Sequence, residues 1–342
     1  MQSSSVATNR PRVAVLIPKE TRERIFTDVV VDELAAFAEP VIVADDQLAG
    51  ESLSELLKDI PVAITGWKSP KLPIQSLAPK GSVVFVSHAA GSIKALDILG
   101  SLEAGHIRVS HAAPKIADAV AEFTLTQILA HLRRHTEMDA GLRAGKPWFD
   151  LRHNHLGQLL GAQDVGIVGL GYVGHLVLKL LRPFGCNVCV YDPFIDSAQA
   201  EQLGVTLLSL EDLFERCSVV SLHAANLPAT EGMITTDHLE RLQPGGLLVN
   251  TARAGLIEKG ALLKVLQQGR IFAAIDTFDI EPLPDDDPLR QLRNIYLSPH
   301  CAGHTVESYV QQGLSAVEEV RLFLSGQTLK QEIIRERAAA LA

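Results

Sequence analysis

The chain has 342 residues and a mass of 37.0 kDa, which corresponds to about two domains at ~150 residues per domain. Hydrophobic residues make up 47% and charged residues 21%, proportions that exclude wholesale disorder. The 31 basic and 40 acidic side chains give a net charge of −9, which argues against a general affinity for nucleic acid or for an anionic membrane.

The number of cysteines and the length of the apolar runs indicate the cellular compartment of the protein. Four cysteines are too few for a disulfide scaffold in a chain of this length. The apolar stretch Val13–Ile17 is too short for a signal peptide, and no apolar run reaches the ~18 residues that a membrane span needs. We therefore expect a reduced, cytoplasmic protein with no membrane and no nucleic-acid partner.

Short runs of β-forming residues alternate with helical patterns from the N-terminus onward, which favours βα units around mainly parallel sheets. In the first third of the chain, strands are predicted at Arg12–Ile17, Pro40–Ala44, Val62–Thr65, Val83–Ser87 and Ile107–Ser110, with helices at Asp32–Ala38 and Ser54–Lys58.

The alternation continues after a long helix. Ala117–Arg134 has apolar residues at helical spacing and predicts one largely buried helix, followed by a polar stretch up to Gly161. A second series contains predicted strands at Asp164–Val168, Asn187–Tyr191, Val219–Leu222, Leu247–Asn250, Ala273–Ile275 and Asn294–Leu297, and helices at Gly174–Phe184, Leu210–Glu215, Thr236–Leu242, Lys259–Gln268 and Glu307–Leu324. The whole pattern predicts two α/β domains.

A glycine-rich motif opens the second series. The run VGIVGLGYVGHLVLKLL contains G-x-G-x-x-G as Gly169, Gly171 and Gly174, between a predicted strand and a predicted helix. The first glycine allows a tight turn, the second lets a pyrophosphate approach the backbone, and the third lets helix and strand pack closely. The helix N-terminus offers free N–H groups to the phosphates. The alternative is a glycine-rich turn in another kind of α/β protein.

An acidic residue strengthens the dinucleotide interpretation. Asp192 ends the next predicted strand and lies 192 − 171 = 21 residues after Gly171, close to the ~20 expected. Its carboxylate can accept from both ribose hydroxyls and would repel a 2′-phosphate. The residues that follow, Pro193, Phe194 and Ile195, include no cation for that phosphate. The sequence therefore favours NAD over NADP.

Three later segments place chemically capable side chains just after predicted strands. Arg253 follows one strand, Asp276 and Glu281 follow the next, and His300 follows a third. Ligands in open α/β sheets bind at the carboxyl ends of strands, so these segments are expected at the same edge as the glycine loop. The alternative for each is a solvated surface charge or a structural histidine.

These side chains suit the reduction of a 2-keto acid. The guanidinium of Arg253 could hold the carboxylate and the carbonyl of the substrate. A protonated His300 could give a proton to the carbonyl oxygen as hydride reaches the carbon, and the neutral imidazole could take it back in reverse. A carboxylate from Glu281 beside His300 would favour the charged imidazole and raise the pKa of His300.

No metal site is predicted. Cys186 and Cys189 form C-x-x-C at the start of a strand, where side chains three residues apart point to opposite faces. There is no second C-x-x-C to complete a zinc set, and the histidine pairs lack a convincing third ligand.

Longer runs of sequence resemble the NAD-dependent D-2-hydroxyacid dehydrogenase family, which includes lactate, glycerate, phosphoglycerate, phosphite and formate dehydrogenases and related transcriptional corepressors. The matching runs are AVAEFTLTQIL, VGIVGLGYVG, VYDP, VVSLHAANLPATEGMI, LVNTARAGLIEKGAL, AAIDTFDIEPLPDDDPL and LSPHCAGHT. They cover roughly residues 85–325.

The resemblance implies an α/β fold of two Rossmann-like domains, in which an NAD-binding domain is inserted into a discontinuous, flavodoxin-like substrate domain. On this basis residues 1–112 and 301–342 form the substrate domain, and residues 113–300 form the NAD-binding domain. Family members are usually dimers joined through the long helix, so a homodimer is expected.

The resemblance also implies roles for individual residues. Substrate binding and the proton relay fall to Arg253, Glu281 and His300. Cofactor contacts come from the glycines named above and from Tyr172, Val173, Asp192, Thr251, Ala252, Arg253, Asp276, His300 and Gly303, with Asp276 at the nicotinamide amide. The loop that contains Ala90 and Gly91 matches the turn whose backbone amides bind the substrate carboxylate.

Some assignments stay open. Trp67 follows a strand of the first series and could stack on a substrate tail or be a partly buried loop tryptophan, and His88 could contact substrate or be structural. The expected function is NAD(H)-dependent interconversion of a small 2-keto acid and the D-2-hydroxy acid. The alternatives are an NAD(H)-sensing, corepressor-type binding protein and a dehydrogenase of a non-carboxylate anion such as phosphite.

Overall fold

The computed structural model describes residues 10–335, which divide into two compact units. Within the described residues, the first unit comprises residues 10–116 and 304–335, and the second comprises Ala117–Gly303. These boundaries lie four and three residues beyond those predicted from the sequence (116 against 112, and 303 against 300). One unit is thus made of two chain segments, with the other inserted between them.

The first unit is built on a five-stranded parallel sheet with the order β2-β1-β3-β4-β5. This is the flavodoxin-like strand order. Its strands are β1 (Arg12–Val15), β2 (Glu39–Ile42), β3 (Val62–Thr65), β4 (Phe85–His88) and β5 (Arg108–His111), and its first helices are α1 (Lys19–Ile25), α2 (Asp28–Ala35), α3 (Gly50–Leu56) and α4 (Leu99–Glu103).

Helix α5 (Ala113–Leu132) spans the boundary between the units. It begins four residues before the predicted start, because Pro114 is compatible with the first turn of a helix. Its residues Ala121, Ile128 and Leu132 are buried in a core of the second unit.

The second unit contains a seven-stranded parallel sheet with the order β12-β11-β10-β9-β6-β7-β8. Its strands are β6 (Asp164–Val168), β7 (Asn187–Tyr191), β8 (Thr206–Leu207), β9 (Val219–Leu222), β10 (Leu247–Asn250), β11 (Phe272–Ile275) and β12 (Ile295–Leu297). Its helices are α6 (His135–Arg143), α7 (Trp148–Asn154), α8 (Tyr172–Leu181), α9 (Ser197–Leu203), α10 (Leu210–Arg216), α11 (Thr236–Arg241) and α12 (Ala261–Leu266).

Strand order in the second sheet reverses between β6 and β9, which is where ligands bind in doubly wound sheets. Every residue of β9 and of β10 is buried, as expected for central strands covered on both faces. The glycine loop follows β6, so the sheet places it at this reversal.

Helix α13 (Val306–Leu324) returns the chain to the first unit. Ala316, Val317 and Val320 on this helix are buried in the same core as β1, β3 and β4, and Phe323 stacks on Phe85 at 4.5 Å between ring centroids. The N-cap Thr305 accepts from the Ser308 N–H at 3.0 Å. None of the helices within residues 10–335 has the length and apolar character needed to cross a membrane.

The predicted fold class, α/β with two parallel sheets, is confirmed. Several element bounds differ from the prediction. The stretch between α5 and Gly161, interpreted as a polar connection, contains α6 and α7. Helix α2 begins at Asp28 rather than Asp32, and Thr27 is the extended residue that precedes it. Helix α8 ends at Leu181 and passes into a 3-10 turn over Arg182–Phe184, where Pro183 lies.

Candidate active site

The glycine loop after β6 has the geometry that the motif requires. Gly169 has a φ of +93°, and a Cβ there would lie 2.7 Å from the backbone nitrogen of Ala224. A Cβ on Gly174 would lie 2.1 Å from the carbonyl oxygen of Gly169. Glycine is therefore required at both positions, for conformation at one and for close helix–strand packing at the other.

The middle glycine borders open space. No atom lies within 4 Å of the position of a Cβ on Gly171, which immediately precedes helix α8. A side chain there would occupy the space in front of the helix N-terminus, where the free N–H groups favour an anion. Tyr172 is 51% exposed and Val173 is half-buried on the first turn. These residues fit the pyrophosphate of a dinucleotide.

Asp192 is fixed beside this loop by two backbone donors. The Leu170 N–H donates to its Oδ2 at 2.7 Å, and the Phe194 N–H donates to its Oδ1 at 2.9 Å. Each carboxylate oxygen has a second lone pair, so both can still accept from a ribose hydroxyl. Asp192 therefore holds the glycine loop to the end of β7 and presents an acceptor at the same place.

The turn after β10 places Arg253. Asn250 is fully buried at the end of the strand, donates to the carbonyl of Arg253 at 2.9 Å and accepts from the Ala252 N–H at 3.1 Å. Thr251 Oγ1 lies 3.0 Å from Thr124 Oγ1 on helix α5. Asn250 was not predicted as a positioning residue, although a polar residue at the end of an apolar strand is a signal for one.

Glu281 and His300 form a close pair in the second unit. His300 Nδ1 lies 2.7 Å from Glu281 Oε2, and the Phe278 N–H donates to Glu281 Oε1 at 2.9 Å. The His300 side chain is 45% exposed and the Glu281 side chain is 36% exposed. The residues follow β12 and β11, which are neighbouring strands, so the sheet brings together side chains that are 19 residues apart. His300 itself has a left-handed backbone with φ +51°.

Charge around this pair keeps the carboxyl ionised. Burial raises the pKa of Glu281, but hydrogen bonds from His300 and the Phe278 backbone, with the charges of His300 and Arg253, lower the pKa overall. Partial desolvation lowers the pKa of the Arg253 guanidinium, and the charge of Glu281 opposes that shift. Arg253 and Glu281 therefore interact as opposite charges.

Asp276 braces the loop that carries His300. Its side chain is 1% exposed and accepts from Ser298 Oγ at 2.6 Å, from the Cys301 N–H at 2.9 Å and from the Ala302 N–H at 2.9 Å. These bonds fix the backbone on both sides of His300. Gly303 follows as the last residue of the second unit. The contact between Asp276 and a nicotinamide amide stays a prediction.

The expected substrate-loop residues lie in the first unit, at the ends of β3 and β4. Ala90 is fully buried, and Gly91 is half-buried. A Cβ on Gly91 would lie 4.0 Å from Cη2 of Trp67, so the loop and the tryptophan are neighbours. His88 is buried below the loop, 2.9 Å from Thr65 Oγ1 through its Nδ1, which supports the structural alternative for this residue.

Residues 10–335 contain no group of three or more ligand-type side chains that could hold a metal ion. The four cysteines are free thiols, and within C-x-x-C Cys186 is half-buried whereas Cys189 is fully buried.

Comparison with known proteins identifies the family. Residues 125–302 match the family described as D-isomer specific 2-hydroxyacid dehydrogenase, NAD binding domain. The chain belongs to this family. The match begins within helix α5 and ends at the loop that Asp276 braces, so it contains the glycine loop, Asp192 and the Arg253, Glu281 and His300 segments.

Curated relatives carry several names. The D-3-phosphoglycerate dehydrogenase of Mycobacterium leprae is 33% identical over 281 residues, which are 81% of this chain and 52% of that protein. The chain thus spans about half the length of this relative. The glyoxylate reductase of Korarchaeum cryptofilum is 31% identical over 268 residues, 76% of this chain and 79% of that protein.

The family fold extends over both units. A solved structure of D-2-hydroxyisocaproate dehydrogenase aligns with a TM-score of 0.78 at 24% identity, over 95% of this chain and 99% of that chain. At this identity the likeness shows the fold alone. The residues that match the NAD binding domain of the family all lie within the second unit.

Proposed function

We propose that the protein is an NAD(H)-dependent oxidoreductase that interconverts a small 2-keto acid and the corresponding D-2-hydroxy acid. The observation that carries this proposal is the 2.7 Å contact between His300 and Glu281, in the same unit as Arg253 and the dinucleotide-type glycine loop. An imidazole paired with a carboxylate, beside a guanidinium, provides a proton donor and an anion clamp. These are the groups that reduction of a 2-keto acid needs.

The two nitrogens of His300 have different tasks in this mechanism. Nδ1 is engaged with Glu281, so Nε2 is the nitrogen that can hold or release a proton towards a substrate oxygen. The ionised Glu281 stabilises the imidazolium before transfer. In reduction, Nε2 gives its proton to the carbonyl oxygen and the imidazole becomes neutral. In oxidation, Nε2 takes the hydroxyl proton.

Arg253 binds and orients the substrate in this mechanism. Its guanidinium donates to the carbonyl of Ala252 at 2.7 Å through Nη1, which leaves other N–H donors for a carboxylate. Asn250 fixes the backbone of the turn that carries it. When bound, NADH supplies the hydride that reaches the carbonyl carbon. The glycine loop and Asp192 would hold it.

The cofactor preference proposed is NAD(H) over NADP(H). Asp192 presents a carboxylate at the place where a ribose lies in dinucleotide-binding folds, and Pro193 and Phe194 follow it without a cation. A 2′-phosphate there would meet like charge.

A homodimer is part of the proposal. In the second unit, the chain from α6 onward exposes large apolar side chains: Leu142, Trp148, Phe149, Leu156 and Leu159 are 48–81% exposed. We name this set the 142–159 surface. Several large apolar side chains exposed within one stretch of 18 residues favour an interaction site there. It lies in the segments after α5, rather than on the long helix itself.

Absorbance assays of NADH consumption with a panel of 2-keto acids test the function. The panel contains glyoxylate, pyruvate, 2-ketobutyrate, hydroxypyruvate, 2-ketoglutarate and phosphohydroxypyruvate, each assayed with NADH and with NADPH. We expect turnover on at least one acid, faster with NADH. The variant His300→Ala should lose about 10²–10⁴-fold in kcat, because it lacks the proton donor.

Two controls make this assay decisive. His300→Ala should still bind NADH, as measured by fluorescence titration, whereas His106→Ala, which removes an imidazole from the first unit, should keep full turnover. Absence of turnover on the whole panel, with NADH binding intact, would contradict the dehydrogenase proposal. An unchanged kcat in His300→Ala would contradict the relay.

A further inference from the structure

The turn after β10, which carries Arg253, is anchored at both of its ends. At its start, Asn250 lies in register with residues of the neighbouring strands β9 and β11. At its far end, the carbonyl of Gly255 accepts from the Gly232 N–H at 2.8 Å. Residues 251–254 lie between these two anchors, so their position depends on whatever else holds the turn.

The side chain of Asn250 holds the shape of this turn from within. It donates to the carbonyl of Arg253 at 2.9 Å and accepts from the Ala252 N–H at 3.1 Å. Both bonds lie inside residues 250–253, so they set the curvature of the turn without fixing its position against the rest of the second unit. A bond that fixes this position has to come from another element.

Helix α5 supplies such a bond. The hydroxyl of Thr124 on this helix lies 3.0 Å from the hydroxyl of Thr251, which is a hydrogen bond whichever of the two donates. Within residues 10–335, no other side-chain hydrogen bond reaches residues 251–253 from outside residues 250–256. Thr124 therefore ties the first residue of the turn to the long helix.

Both hydroxyls of this bond are buried. Thr124 is fully buried, and Thr251 is 7% exposed. Ala121 and Ile128 on the same helix belong to an apolar core, in which an apolar side chain would be the ordinary choice at position 124 as well. A hydroxyl buried there without a partner would be unfavourable, and Thr251 is the partner that satisfies it. Because the pair is out of water, its hydrogen bond is electrostatically stronger than an exposed one.

Arg253 lies two residues beyond Thr251, and its backbone is extended, with φ −147° and ψ 141°. A small rotation of this backbone displaces the end of a long side chain more than it displaces the turn itself. Misplacement of a substrate-positioning group by about 1 Å can lower a rate by up to ~10²-fold. The His300–Glu281 pair follows other strands of the sheet, so it does not depend on this bond.

We propose that Thr124 is a positioning residue for the reaction and that, through Thr251, it holds Arg253 where the guanidinium binds the carboxylate of the 2-keto acid. This inference rests on the proposed function and adds to it a residue of the long helix. Thr124 acts only through the turn after β10. Its loss should therefore weaken the binding of the acid more than the binding of NADH, which the glycine loop and Asp192 would hold.

Steady-state kinetics with NADH and the 2-keto acid of the panel that is turned over fastest test this role. Thr124→Val removes the hydroxyl and keeps the branched shape of the side chain. We expect KM for the acid to rise about five- to tenfold, as for loss of one buried hydrogen bond, and Kd for NADH from fluorescence titration to change by less than about twofold. Thr251→Val removes the same bond from its other end and tests the role even where Thr124→Val does not fold.

Three further variants serve as controls. Thr124→Ser keeps a hydroxyl at this position and should restore KM for the acid. Thr126→Val is the matched control, because Thr126 is exposed on the same helix and its hydroxyl donates to the carbonyl of Glu122 at 2.9 Å. It should leave KM unchanged. The double variant Thr124→Val, Thr251→Val should be no more impaired than either single variant, because each substitution removes the same bond.

A merely structural role for Thr124 gives a different result. If Thr124→Val only lowered the folded fraction, kcat would fall in proportion while KM for the acid stayed unchanged, and this would overturn the inference. Additive losses in the double variant would also overturn it, since the two hydroxyls would then act separately. Absence of turnover by the wild type on every acid, with NADH binding retained, would instead remove the proposed function and this inference with it.

Discussion

Glu281 stands out at the scale of single residues because three groups act on its charge. His300 and the Phe278 N–H contact its two oxygens at 2.7 Å and 2.9 Å, and Arg253 adds a positive charge. Together they outweigh the effect of burial and lower the pKa of the carboxyl. A lowered pKa keeps Glu281 ionised at neutral pH, and its support for the imidazolium is lost only as pH falls through that lowered value.

Glu281→Gln should lower kcat/KM at neutral pH, by less than the ~10²–10⁴-fold expected for loss of the imidazole itself. The amide keeps the shape of the side chain but has no charge at any pH. The ratio of wild-type to variant kcat/KM should therefore decrease as pH falls through the lowered pKa of the Glu281 carboxyl. Profiles of kcat/KM against pH measure this ratio. A ratio near one at neutral pH would contradict the role of Glu281.

The roles of residues that belong to a sequence motif could be predicted. The roles of residues that depend on contacts with distant parts of the chain could not. Gly169, Gly171 and Gly174 follow a spacing that the turn itself imposes. Trp67 could not be assigned from sequence, because its partner Gln312 lies 245 residues away. The burial of His88 likewise depends on the pairing of β4 with β3 and β5, which a local pattern does not contain.

At the scale of elements, helix α13 carries two adjacent glutamates with opposite environments. Glu318 is paired with Lys330 at 3.1 Å and with Arg321 at 2.9 Å, and these hydrogen bonds lower its pKa. Glu319 is 2% exposed, and burial raises its pKa although it accepts from the Lys330 N–H at 3.0 Å. Its Oε2 is buried with no hydrogen-bond partner in the described part of the chain.

Glu319→Gln and Glu318→Gln should change stability with opposite dependence on pH. The wild type should lose stability relative to Glu319→Gln as pH rises above ~4.3 through the raised pKa, by the roughly 1–3 kcal/mol typical of an unsatisfied buried group. Relative to Glu318→Gln it should gain up to about 1 kcal/mol as pH rises to ~4.3. Thermal unfolding of the three proteins over a pH series measures both differences.

The two variants control for each other, since both replace a carboxyl by an amide on one helix. If the stability difference from the wild type had the same sign of pH dependence in both variants, burial would not be raising the pKa of Glu319.

Element prediction succeeded where the pattern of apolar residues is strong. The bounds of β3, β6, β7, β9 and β10 agree with those predicted, because their apolar runs are short, continuous and buried. Helices α1, α6, α7 and α9 were not predicted, since each is rich in polar residues and buries few side chains. Helix α9 instead depends on the capping box of Asp196 and Gln199.

At the scale of the whole molecule, the 142–159 surface is the feature that a monomer leaves unexplained. On helix α7, Trp148 is 64% exposed and Phe149 is 67% exposed. Leu151, two residues further along the same helix, is buried against Gly141 of α6. Helix α7 therefore buries one face within the second unit and leaves aromatic side chains outside. A second copy of the chain could cover them.

The double variant Trp148→Asp, Phe149→Asp should convert the protein from a dimer to a monomer of 37.0 kDa. Charge on the 142–159 surface would be desolvated in an interface, which is strongly unfavourable. Sedimentation velocity measures the mass. Val29→Asp, at an apolar side chain 62% exposed in the first unit, is the matched control and should remain a dimer. A monomeric wild type would contradict the proposed assembly.

The discontinuous first unit also affects the order in which the chain can fold during synthesis. Helix α13 supplies Ala316, Val317 and Val320 to the core that β1, β3 and β4 share, and the chain reaches this helix only after residue 303. Domains synthesised first usually fold first. Here the ribosome has completed every residue of the second unit before the first unit can close its core. During synthesis, the face of the N-terminal sheet that α13 covers therefore stays exposed until α13 is made, and the second unit can fold before that.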